Sequence, residues 1–149
     1  MSKEDVDLAI REAERGDAAP LAMLMGELGY VTTEAEMTQR LQTILPNKQF
    51  KTFVAVAGDR LCGMIGTAAQ PSHEHNDLSG RIVALVVSKA MRRRGIARRL
   101  IEKAEKDFAE RKITRVSLTT RLTREDAHRF YEELGYARTG FRYAKTLSD

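Results

Sequence analysis

Residues Arg92-Arg93-Arg94-Gly95-Ile96-Ala97 lie between an apolar run, Leu85-Val86-Val87, and a segment whose Ile96, Leu100, Ile101, Ala104 and Phe108 recur at helical spacing. A helix that starts abruptly after a strand aims its unpaired N–H groups, and the positive end of its dipole, at whatever occupies the crevice. Such a junction binds anions, phosphates above all. Gly95 has no Cβ to hold a ligand away from the backbone, and Ala97 keeps the first turn small. The guanidinium forks of Arg92, Arg93 and Arg94 add charge in a geometry that suits phosphate oxygens. The same arginines also suit a solvated basic surface ahead of an ordinary helix. Three features favour a ligand: the glycine at the turn, the strand directly upstream, and a parallel crossover, whose strand ends are where α/β sheets bind ligands.

Two common nucleotide cradles are ruled out. No Gly-Lys-Ser/Thr follows the glycine, and the spaced glycines of the dinucleotide fingerprint are missing. Other residues that could do chemistry are sparse. His73-Glu74-His75 offers groups that titrate near neutrality, but two histidines without a third ligand make a weak zinc signal. Tyr131 sits beside Phe130 on an amphipathic segment, where local pattern alone reads as packing.

The elements that must position these residues follow from periodicity and punctuation. Val6, Leu8 and Ile10 alternate as in a half-buried strand. Asp17 stands at the N-cap position of a helix over AAPLAMLMGEL, which Gly29 stops. Thr33 and Glu36 form a capping box for a second helix with Met37, Leu41 and Ile44 on one face, ending at Pro46-Asn47. Two β-rich runs hinge at Gly58-Asp59 as a hairpin. A polar loop, QPSHEHNDLSG, leads to a strand from Arg81 to Val87. The long amphipathic helix then runs to about Arg111 before ITRVSLTT resumes strand character. Thr123 precedes a short helix over EDAHRFYEEL that Gly135 ends, and YARTGFRYAKTL alternates as a last strand. The order is β-α-α-β-β-β-α-β-α-β, a mixed sheet with helices on its faces.

With 149 residues and no linker, repeat or low-complexity stretch, residues 1–149 are expected to form one domain. Lys plus Arg number 25 against 21 Asp plus Glu, a net charge of +4, so any anion site is local. Neither this modest charge nor the lack of aromatic platforms near the arginines favours a nucleic-acid module, and no nucleic-acid partner is expected. The lone Cys62 excludes an internal disulfide and fits a reducing compartment. No apolar run is long enough to span a bilayer, and MSKEDVDLAI lacks the layout of a secretory signal. A soluble, cytoplasmic protein with no membrane partner is the expectation.

Arg92-x-x-Gly95-x-Ala97 resembles the pyrophosphate-binding motif, Arg/Gln-x-x-Gly-x-Gly/Ala, of the GNAT superfamily of acetyl-CoA-dependent N-acetyltransferases. The hexapeptide alone is a weak signal, but IVALVVSKAMRRRGIARRLIEKAEKDF resembles that family's central strand, turn and helix throughout, and EDAHRFYEELGYARTG resembles its later Ala-x-x-Phe-Tyr-x-x-x-Gly-Tyr/Phe motif. The resemblance runs along essentially the whole chain. It is greatest to small stand-alone bacterial enzymes, including aminoalkylphosphonate and aminoglycoside acetyltransferase-like members. It implies an α/β (α+β) fold: a mixed, mostly antiparallel central sheet with one parallel β-α-β crossover and helices on both faces.

The resemblance also implies roles. The strand containing Leu85, Val86 and Val87 is bulged in this family, and the main chain of Leu85 and Val87 would pair with the pantetheine arm of acetyl-CoA. The Val87 N–H would donate to the acetyl carbonyl, and an N–H aimed where charge develops stabilises the transition state more than the ground state. The amides from Arg93 to Ala97 would hold the pyrophosphate. Tyr131 takes the place of the general acid that protonates the departing thiolate, and a phenol of pKa about 10 matches such a leaving group. His128, one helical turn earlier, fits a supporting or surface role.

The chain departs from the family's pattern at two places. Arg124 stands where many members have an asparagine that contacts the cofactor. GRIVALVV lacks the strand glutamate that serves many relatives as general base, which leaves His73, Glu74 and His75 as candidates alongside plain loop polarity. The implied activity is direct transfer of an acetyl group to the primary amine of a small molecule through a tetrahedral intermediate. A protein N-terminal or lysine acetyltransferase and a non-catalytic acetyl-CoA sensor are the alternatives. Homodimers are common in such families, although the sequence shows no seam.

Overall fold

A computed structural model describes residues 7–120 and 125–148. Two compact units are delimited, Met1–Val116 and Ser117–Asp149. The elements are β1 (Leu8–Glu12), α1 (Ala18–Leu28), α2 (Glu34–Ile44), β2 (Phe50–Ala57), β3 (Arg60–Gln70), β4 (Ser79–Val87), α3 (Ile96–Glu110), β5 (Val116–Leu118) and α4 (Glu125–Glu133). The sheet order is β1-β2-β3-β4-β5, a mixed α/β architecture in which β1 to β4 are successively antiparallel and one pair is parallel.

Local chemistry accounts for the boundaries. Thr33 Oγ1 accepts from the Glu36 N–H, and Glu36 Oε1 accepts from the Thr33 N–H, closing the capping box at the start of α2. Gly29 takes φ 112° at the end of α1, a conformation that L side chains resist. Gly58, with φ 64°, supplies the left-handed residue of the two-residue turn that pairs Ala57 with Arg60. Val6 and the proposed cap Thr123 lie outside the described residues.

The sheet of the first unit is covered on both faces. Val54, Met64 and Val86 pair in one row and pack with Leu21, Leu24, Met25, Met37 and Leu41 of α1 and α2. The adjacent row, Ala55, Gly63 and Val87, therefore faces the other way, toward α3. A Cβ on Gly63 would lie 3.2 Å from Leu100 and 3.4 Å from Ile96, and one on Gly80 would lie 2.9 Å from the Phe108 ring. Gly63 pairs with Val87 at the end of β4, whereas Gly80 is at its beginning. Helix α3 thus runs antiparallel to β4 and starts beside the strand's last residue. Its buried stripe, Ile96, Leu100, Ile101, Ala104 and Phe108, is the one expected from spacing.

Asp17 occupies the N-cap position of α1 without capping it. Its carboxylate instead accepts two bonds from Arg11 of β1, at 2.8 and 2.9 Å, and one from the Glu14 N–H at 2.7 Å. A charged fork competes better for a carboxylate than a helix amide does. The Arg11 guanidinium holds the Asp17 carboxyl below the usual carboxylate range, opposed by burial and assisted by the Glu14 N–H.

In the second unit α4 ends at Gly135, with φ 96°. The expected last strand over YARTGFRYAKTL is absent: residues 136–148 adopt no regular structure, and 137–148 are exposed. Alternation supplies a strand's pattern, but a strand exists only where a ladder partner takes its N–H and C=O groups, and no pairing is present there among the described residues.

Two consequences concern stability. Gly80→Ala should cost about 1–3 kcal/mol in urea unfolding, because the Phe108 ring, 1% exposed, has nowhere to retreat. Because Asp17 has a lowered folded pKa, its contribution is complete above the ordinary carboxylate range and is lost as pH falls through the folded value. Asp17→Asn should therefore be less stable than wild type by about 2 kcal/mol at neutral pH. That difference should close as pH falls below the carboxylate range, as read by denaturation at a series of pH values.

Candidate active site

The end of β4 is a strand with one working edge. Gly66 pairs with Ala84 and Thr67 with Ile82, so Val83 is an extra, unpaired residue, a bulge in β4. Beyond it the register is regular, and the Ser88 N–H donates to the Cys62 C=O at 2.7 Å. In an antiparallel ladder, residues bonded to the partner alternate with residues whose N–H and C=O point the other way. Ser88 is bonded to β3, so Val86 is too, and the main chain of Leu85 and Val87 is turned away from β3. The Val87 C=O confirms this parity by accepting from Arg92 Nε at 3.1 Å.

The loop from β4 to α3 is held at several points. Ser88 is bound to β3, Met91 is buried, and Arg92 returns to Val87. The Lys89 N–H donates to Glu27 Oε1 at 2.8 Å. Arg93 and Gly95 both adopt left-handed conformations, with φ 64° and 75°. Gly95 is the N-cap of α3, no side chain caps the helix, and nothing lies within 4 Å of where a Gly95 Cβ would be. The first-turn N–H groups of α3, from Ile96 onward, therefore open onto a cradle that a side chain would fill. Arg92, Arg93 and Arg94 are exposed around it, Ile96 is buried beneath, and Ala97 is half-buried. This arrangement of backbone donors, a bare glycine and surrounding guanidinium groups fits a diphosphate.

Leu85, Val86, Val87, Arg92, Arg93, Arg94, Gly95, Ile96 and Ala97 are thus brought together at one end of the first unit. Arg92 does more than add charge, since its Nε ties the loop to the strand. His73, Glu74 and His75 are all exposed in the loop before β4. Arg115 pins that loop by binding Asp77 at 2.8 Å, while its C=O accepts from Gly80. The three residues are therefore anchored at the beginning of β4, on the order of 25 Å of strand from Val87. Among the described residues no group of three His, Cys, Asp or Glu side chains is placed to hold a metal ion.

Tyr131 is in the second unit, on α4. Its ring meets Phe130 at 5.4 Å between centroids and Tyr136 at 6.1 Å, the latter edge-on. The Tyr136 N–H donates to the Tyr131 C=O, so the left-handed turn at Gly135 folds Tyr136 back on Tyr131. The spacing of Phe130, Tyr131, Gly135 and Tyr136 is therefore the signature of an aromatic helix end. His128 Nδ1 lies 3.5 Å from Arg138. Arg124 is outside the described residues.

Glu27 carries no motif and was not anticipated from the sequence. One physical signal was available. A carboxylate in the last turn of a helix opposes the helix dipole and calls for a partner elsewhere.

The chain matches the model of the acetyltransferase (GNAT) family over residues 21–136. It is 33% identical over 102 residues to an aminoalkylphosphonate N-acetyltransferase of Salmonella typhimurium, covering 68% of this chain and 65% of that protein. It is 33% identical over 87 residues to N-alpha-acetyltransferase 30 of Schizosaccharomyces pombe, covering 58% of this chain and 57% of the relative. It thus spans less than two thirds of the length of either relative. Among solved structures, a transcriptional regulator from Bacillus halodurans superposes with a TM-score of 0.86 at 24% identity, covering 94% of this chain and 99% of the other. An aminoglycoside N-acetyltransferase in complex with CoA superposes at 0.84 with 14% identity, covering 99% of both chains. These superpositions show the shared fold, and the family match carries the assignment. The chain belongs to the GNAT family of acetyltransferases.

Proposed function

We propose that the protein is an acetyl-CoA-dependent N-acetyltransferase that moves the acetyl group directly to a primary amine of a small molecule. The observation that carries the reading is the paired geometry at the end of β4: main chain of Leu85 and Val87 facing away from β3, beside a helix start with no side-chain cap, where a Cβ on Gly95 would meet nothing within 4 Å. Acetyl-CoA supplies an activated thioester when bound. In this reading the amides from Arg93 to Ala97 receive its pyrophosphate, and Leu85 and Val87 extend their strand edge to the pantetheine. The Val87 N–H donates to the acetyl carbonyl oxygen, where negative charge grows as the amine attacks. An amine arrives as ammonium, with pKa around 10, and gives one proton to solvent water before its nitrogen bonds to the carbonyl carbon. As the carbon–sulfur bond breaks, Tyr131 gives its phenolic proton to the thiolate, and the proton lost by the nitrogen as it becomes an amide restores the phenol by way of solvent.

The small-molecule acceptor is supported by the aminoalkylphosphonate relative, and a second reading, acetylation of protein N-termini, by the N-alpha-acetyltransferase relatives. A thiol-release assay across simple primary amines, aminoalkylphosphonates and peptide N-termini decides between them. Release with none of them, alongside tight binding of acetyl-CoA in a calorimeter, would leave a binding protein rather than an enzyme.

Two variants test the residue assignments. Tyr131→Phe should lower kcat by about 100-fold while the Kd for acetyl-CoA stays within about twofold, and an unchanged kcat removes Tyr131 from the acid role. Gly95→Glu should weaken acetyl-CoA binding by at least about 100-fold through bulk and charge in the cradle, a loss of roughly 2.7 kcal/mol. Normal affinity in that variant means the diphosphate goes elsewhere.

A further inference from the structure

We infer that Glu27 is a positioning residue for the proposed reaction, holding the loop between β4 and α3 in its anion-receiving shape from the last turn of α1. The inference rests on that functional reading and extends it to a residue outside the motif.

Glu27 Oε1 accepts from the Lys89 N–H at 2.8 Å, across 62 positions of sequence. Lys89 opens a short 3-10 turn, Lys89–Met91, that carries no side-chain cap from Ser88. Glu27 thus supplies from another helix the acceptor that a local cap would ordinarily provide. Its charge suits the place. A carboxylate strengthens a bond to a backbone N–H and complements the positive end of the turn, although it opposes the dipole of its own helix. No basic residue occupies the last turn of α1 to neutralise it there.

The bond's position gives it leverage. Ser88 is fixed to β3, and the next residue is fixed by Glu27; Arg93 and Gly95 then adopt left-handed conformations in close succession. Positive φ at Arg93 is unfavourable for a side-chain-bearing residue and persists only where its surroundings over-determine it. Glu27 is one of those determinants. It also joins the cofactor loop to α1 directly before Gly29, Tyr30 and Val31, the last two of which are exposed.

The test begins without any ligand. In amide exchange on the free protein, Glu27→Ala should speed exchange across residues 89–95 several-fold while β3 keeps its protection. Glu27→Gln, whose amide oxygen still accepts, should stay close to wild type. In calorimetry with CoA, Glu27→Ala should raise Kd by about fivefold to tenfold, the consequence of losing one charge-assisted bond. In turnover the same variant should raise the KM for acetyl-CoA with kcat within about twofold, and Glu27→Gln should restore it. Unchanged loop exchange or unchanged CoA affinity in Glu27→Ala overturns the positioning role. Equal loss of kcat in Glu27→Gln and Glu27→Ala, with one limb gone from the pH–rate profile, overturns it in favour of proton transfer. If wild type itself fails to bind CoA, the functional reading falls first, and the exchange result still reports whether the clamp exists.

Discussion

The close approach of α3 to the sheet is the constraint on which the candidate site depends. Gly63 and Gly80 leave room for Ile96, Leu100 and Phe108 to sit directly on β3 and β4. Because the contacts lie at both ends of the helix, its position along the strand is set as well as its height. The first turn of α3 must then begin beside Val87, and a short loop is all that can connect them. Were the helix raised by a Cβ at either glycine, its unpaired amides would shift with it. Anion binding at a helix start is a matter of where a few N–H groups point, so core packing on one face of the sheet sets where the first-turn amides of α3 lie.

The strand divides its labour by atom rather than by residue. Val86 sends its side chain into the core shared with α1 and α2, and its backbone to β3. Leu85 and Val87 face the opposite side of the sheet, and their main chain turns away from β3. The bulge at Val83 lies just upstream and locally re-aims the strand without disturbing the regular ladder that follows. An apolar sequence is thereby consistent with a polar task, since the groups that would meet a ligand are peptide groups common to every residue. This is also why a Leu-Val-Val run by itself cannot announce a site. Parity becomes visible only once Ser88 is seen bonded to Cys62.

What was legible in the sequence was local. The Thr33–Glu36 box, the Gly29 and Gly135 stops, the Gly58-Asp59 turn and the α3 stripe each depend on residues within a turn or two of one another. Features decided over long separations were not legible. Asp17 was expected as a helix cap because the competing donor, Arg11, lies on the preceding strand. The segment after Tyr136 alternates as strands do, yet no periodicity can reveal whether a ladder partner exists. In the site, the glycine cradle and its flanking strand could be read from the order of residue types. The Arg92 tether to Val87 and the Glu27 bond to Lys89 could not, because each is a side chain choosing a backbone atom that only the folded chain presents.

The loop arginines and the loop amides answer different physical requirements. Guanidinium groups on long, exposed side chains attract an anion from a distance, but salt screens them beyond roughly 8–10 Å, and ordering each one costs rotamer entropy. Backbone N–H groups are already ordered and lose nothing further when an oxygen arrives. Arg92 spends its Nε on Val87, which turns one of the charges into part of the scaffold. A net charge of only +4 spread over 149 residues cannot steer a phosphate by its overall field. In the proposed reading, recognition would therefore come from directed peptide dipoles held at fixed positions. The clamps on the loop, from β3, from α1 and from Arg92, matter because they keep those dipoles in place before any ligand is present.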